Sequence, residues 1–129
     1  MTSPEDKETL AAAFGKDTDP LATHELTFET VDVDPFDPFR TDVLESGVAP
    51  RTQRNYETLW RQWFEHMTRA GRHPACPSVD HVREFAWYEL DDKGNQPRTV
   101  AEKLRKLRTI YAYWQESPVF PHSADFDPI

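Results

Sequence analysis

The chain has 129 residues, 37% of them hydrophobic and 29% charged, with four Trp and eight Phe, which suits one modest domain with an apolar core. Its formal net charge is −8, and Cys76 is its only cysteine, so an internal disulfide framework is excluded. No run approaches the roughly 18 apolar residues of a membrane span, and the opening TSPEDKE lacks the basic-then-apolar order of a leader, so a soluble cytoplasmic protein with no membrane partner is expected.

The charge is unevenly spread. Up to Val48, Lys7, Lys16 and Arg40 stand against twelve acids, whereas from Ala49 onward twelve bases meet eleven acids. An acidic average therefore hides a region able to present a positive local field. The acid surplus, the preference for Arg over Lys and the Asp-rich first third resemble the composition of proteins from salt-loving microbes; an acidic tail alone leaves a similar trace.

In chain order, Ser3, Pro4, Glu5 and Asp6 form a helix-start signal, and Gly15 closes a short candidate helix through Leu10 and Phe14. From Asp17 to Pro38 the chain is rich in Asp, Thr and Pro, with a weak alternation at Leu26, Phe28, Val31 and Val33. Residues 1–35 are expected to be an acidic, largely flexible arm, and residues 36–129 a four-helix domain. The first helix runs from about Asp37 to Ser46 and stops at Gly47, with Phe39, Val43 and Leu44 as its apolar face. The second runs from about Arg51 to Ala70 and stops at Gly71. Its stripe is Tyr56, Trp60, Trp63, Met67 and Ala70, widened by Leu59 and Phe64.

Pro74 and Pro77 break the link that follows. Ser78 caps a third helix through Val82, Phe85, Ala86 and Leu90, closed by Asp91 to Asn95. The fourth starts at Pro97 and ends before Ser117, Pro118 and Pro121. It buries Val100, Leu104, Leu107, Tyr111 and Trp114 on one face and carries Arg98, Lys103, Arg105, Lys106 and Arg108 around it. The aromatic stripes are expected to be core rather than base-stacking platforms.

Read together, RTQRNYETLWRQWFEHMTRAG, SVDHVREFAWYEL, PRTVAEKLRKLRTIYAYWQES and DFDPI resemble the core-binding, SAM-like N-terminal domain of tyrosine recombinases, the phage integrase and Xer-type family. Thr52, Tyr56 and Phe64 match the pattern of that family's second helix. Arg98, Thr99, Lys103, Leu104, Leu107, Arg108, Tyr111 and Tyr113 match its fourth, and the closing DPI matches its exit toward the catalytic domain. Pro97, Ala101 and Glu102 depart from the small polar and basic residues usual there. The resemblance implies an all-α, compact four-helix bundle that holds duplex DNA opposite a catalytic domain. Its implied partners are double-stranded DNA, a full-length recombinase and other recombinase protomers.

Helix N-termini attract phosphate through free N–H groups and the helix dipole, so Arg51, Thr52 and Arg54 and, on the fourth helix, Arg98 and Thr99 are the expected anion sites. Arg61, Lys103 and Lys106 can follow the phosphate backbone, and Gln53 and Arg105 are the candidates for base edges. Against this stands the plainer reading of basic helix residues as a solvated face paired with acids one turn away. Tyr56, Tyr88, Tyr111 and Tyr113 fall within helices without the Arg and His constellation of a strand-transferring enzyme, so no catalytic residue is assigned. His66, His73, Cys76 and His81 lack zinc-site spacing, and no metal or other cofactor is expected. Glu57, Glu65, Glu84 and Glu89 are read as helix-surface acids. The competing functional class is a helical interaction module whose stripes drive dimerisation or which modulates a complete recombinase. A third reading has the acidic arm fold back on the basic face as a DNA mimic.

Overall fold

A computed structural model of the chain describes residues 19–24, 34–116 and 128–129. Among them the fold is all-helical. The four helices are α1 (Phe36–Asp42), α2 (Pro50–Arg69), α3 (Val79–Trp87) and α4 (Pro97–Glu116). Two 3-10 turns, Pro20–His24 and Leu44–Ser46, and a π turn, Tyr88–Asp92, complete the described elements. The candidate helix between Ser3 and Gly15, the alternation from Leu26 to Val33 and the Pro-containing stop after Glu116 lie outside the described residues.

Local chemistry sets the helix ends. Pro50 and Pro97 occupy first helical positions, where the missing N–H would have had no partner anyway. At the end of α2 the Arg72 N–H donates to the Met67 carbonyl at 2.9 Å and the Gly71 N–H to that of Thr68 at 3.0 Å. This is a Schellman closure, and it requires the left-handed φ of 69° that Gly71 adopts. Ser78 begins α3 with a capping box in which His81 stands in for the usual acid. The Ser78 hydroxyl accepts from the His81 N–H at 3.3 Å, and His81 Nδ1 accepts from the Ser78 N–H at 3.1 Å.

An aromatic core joins the helices. Phe36, Phe39, Trp63, Met67, Ile110 and Trp114 are completely buried. Trp60 meets Trp114 edge-on at 5.8 Å between ring centroids, tying α2 to α4, and Trp63 meets Phe85 at 5.4 Å, tying α2 to α3. Two buried indole N–H groups find carbonyls: Trp63 donates to Pro74 and Trp114 to Pro35, both at 2.9 Å. α1 is clamped from both sides, by Arg40 donating to Glu57 of α2 and by Tyr113 of α4 donating to Asp42. The Tyr113 phenol is pushed up to about 12 by burial and by that carboxylate.

Three details differ from the sequence reading. Phe64, counted in the α2 stripe, is 43% exposed because it sits at the edge of the face, touching only Trp60 among the described rings. Ile110, not counted, is completely buried. Leu21, assigned to the arm, is also completely buried in the core cluster, and beside it Asp19 accepts from Arg72 at 2.6 Å. A stretch of the arm therefore contributes to the packed domain.

Candidate nucleic-acid interface

Both long helices open with the same triplet, Pro50-Arg51-Thr52 in α2 and Pro97-Arg98-Thr99 in α4, and neither has an acid in its first turn. Ala49, the residue before α2, supplies no side-chain cap, so the first N–H groups of α2 lack the usual capping partner. The two openings lie along one cleft of about 460 Å³, lined by Arg51, Asn55, Thr58, Leu59, Gln62, Thr99, Glu102, Lys103 and Lys106. Arg54 and Arg61 are exposed on α2, as is Arg98 at the head of α4. Arg51, Arg54, Arg61 and Arg98 make no ion pair with another described residue. Thr99 is exposed and Thr52 half-buried.

The remaining expected contacts are drawn partly into the fold. Lys103 donates to Gln62 at 2.9 Å and to Glu89 at 2.7 Å. Glu89, read from sequence as a surface acid, is completely buried. It also accepts from Lys93 at 3.3 Å and from Asn95 at 2.5 Å. Burial opposes its ionisation, but Lys103 and then Lys93 outweigh that cost and hold it below the ordinary carboxylate value. Lys103 is thus a structural cation before it is a ligand-facing one. Gln53 commits one amide N–H to the Val48 carbonyl at 2.7 Å, which takes up one of the two donors that base reading would use. Lys106 lies 3.9 Å from Glu102 and over the Tyr56 ring, while Arg105 meets Glu102 at 3.4 Å in an exposed pair worth little.

Sequence reasoning missed Asn55, Thr58 and Gln62, although their spacing after Arg51 places them on one helical stripe with it. The signal for Glu89 was similar. It follows Val82 and Phe85 in the register of their apolar stripe, as Lys103 falls between Val100 and Leu107. Two opposite charges in inward positions are a pairing signal.

Among the described residues no group of three His, Cys, Asp or Glu side chains is placed to hold a metal ion. The candidate histidines have local partners: His73 accepts from the Ala75 N–H at 3.1 Å, His66 contacts the His81 carbonyl at 3.0 Å, and Cys76 is buried. No helix among the described residues is long and apolar enough to cross a membrane. No protein-family model, curated protein or solved structure matches this chain.

Proposed function

We propose that the chain binds double-stranded DNA through the α2–α4 face, as the DNA-holding, core-binding domain of a tyrosine-type site-specific recombinase. The observation that carries the reading is the set of four exposed guanidinium groups, Arg51, Arg54, Arg61 and Arg98, that pair with no described acid, on two helices that share a polar cleft lined by Arg51 and Thr99. Arg51 to Arg61 spans about 15 Å of helix, the axial length of roughly four phosphates on one strand. These side chains position the duplex, while at the cleft Asn55 offers its amide to base edges and Gln62, whose carbonyl is held by Lys103, offers its N–H groups. The recombinase assignment rests on the ordered likeness in α2 and α4 and on the four-helix architecture. The reading gives the chain no catalytic step. It fits equally a portion of a larger integrase and a short protein that occupies recombination sites.

The alternative of stripe-driven dimerisation has less apolar surface to draw on, since Trp63, Met67, Tyr111 and Trp114 of the α2 and α4 stripes are no more than 1% exposed, while Phe64 at the edge of the α2 stripe stays 43% exposed.

The test is anisotropy of a labelled random-sequence duplex titrated with the intact chain over a salt series. Four neutralised phosphates give a log-log slope of about −3.6, and Arg51→Ala/Arg98→Ala should bring it to about −1.8. Arg83→Ala on α3 should leave it unchanged. Absence of binding at low salt, or an unaltered slope in the double variant, overturns the proposal.

A further inference from the structure

Trp87 projects from the outer side of α3. Val82 and Phe85 of the same helix enter the core, yet the Trp87 side chain is 57% exposed, against no more than 5% for Trp60, Trp63 and Trp114. An indole left in water forgoes one of the largest apolar burials available to a side chain. The fold therefore gains nothing evident from Trp at this position.

Its surroundings indicate what could cover it. About one turn before Trp87 stands Glu84, one turn further back Asp80, and about one turn after it Asp91, all exposed. Among the described residues Arg83 is the sole cation of this strip, and it leans toward Asp80 at 3.6 Å. A tryptophan face attracts cations more strongly than any other side-chain ring. Flanking carboxylates add a field of the sign that draws a guanidinium or ammonium group in. The same carboxylates repel phosphate, so a nucleic acid does not fit here. None of these residues lines the α2–α4 cleft, and the inference stands independently of the DNA-binding reading.

We propose that the outer strip of α3, centred on Trp87, docks a basic segment of a partner protein. One Arg or Lys of that segment lies on the indole, and neighbouring cations pair with Glu84 and Asp91. Trp is the residue type most enriched where partners bind, and one aromatic anchor within a charged rim is a common arrangement of such contacts.

The probe is fluorescein-labelled octa-arginine, titrated by anisotropy with the intact chain in the absence of DNA. Trp87→Ala should weaken binding about fivefold, and Trp87→Phe should retain part of the affinity because Phe keeps a weaker ring face. Glu84→Gln/Asp91→Asn should weaken binding more than Glu45→Gln/Glu116→Gln, which removes the same charge elsewhere. In the wild type, unlabelled peptide should also shield Trp emission from acrylamide, since the other three indoles are already buried. Equal affinity of wild type and Trp87→Ala overturns the proposal, as does an equal effect of the two charge-removing pairs. Trp87 and both pairs are exposed, and circular dichroism verifies that each variant is folded.

Discussion

Replacing Lys103 by Met removes a positive charge from a place where water cannot take over its role. Glu89 is completely buried, and Lys103, itself 19% exposed, is its nearer ammonium partner at 2.7 Å. The second, Lys93, is 35% exposed and stands off at 3.3 Å. Stripping one partner from a buried pair costs about 3–5 kcal/mol, and the retained Lys93 and Asn95 contacts place this case near the lower figure. A loss of about 3 kcal/mol corresponds to a fall in midpoint temperature of about 12–24 °C for a domain of this size. Urea unfolding followed by far-ultraviolet circular dichroism gives the free energy directly. Glu89→Gln/Lys103→Met should recover about 2 kcal/mol of the summed single losses, because neither residue then leaves a naked charge inside. A cost below about 1 kcal/mol for Lys103→Met, or simple additivity in the double variant, would refute the reasoning. The same argument makes Lys103→Glu unsuitable for probing DNA contacts, since it sets a second carboxylate against Glu89.

Two further outcomes follow from the packing. Leu21→Ala should cost about 2–3 kcal/mol in urea unfolding, since Leu21 is completely buried among residues of the helical core; a loss under about 0.5 kcal/mol would show that Pro20–His24 does not dock. The His81 imidazole is held below its ordinary value of 6.5, by burial first and by the charge of Arg72 second, while Asp19 and Glu84 pull the other way and His66 adds to the lowering. The unfolded chain then takes the proton first, so stability is full above 6.5 and falls as the pH drops through the folded value. His81→Gln should flatten the urea midpoint across that window, whereas the loss linked to Glu57 and Glu89, both held below 4.5, should persist at lower pH.

Much of the architecture was legible in the chain itself, because helix boundaries are set by neighbours in sequence. Pro50 and Pro97 open helices, Gly71 closes α2 and Gly47 the 3-10 turn Leu44–Ser46 that follows α1, both with positive φ, Ser78 caps α3, and the four-three spacing of Trp60, Trp63 and Met67 marks an inner face. The basic residues at the heads of α2 and α4 were equally visible, although their number alone could not show which of them the fold leaves unpaired. That depended on distances between elements remote in sequence. Glu89 and Lys103 meet across a loop and a helix start; Arg40 finds Glu57 while Arg51, Arg54, Arg61 and Arg98 find no described acid; Leu21 reaches the core from a segment whose own pattern is too weak to announce it. Sequence periodicity determines which side of a helix is apolar, because that is a local property of a 3.6-residue repeat. Only tertiary packing decides which charges neutralise one another and which remain for a ligand, because Coulomb interaction depends on separation and solvent exposure, and neither is a function of position along the chain.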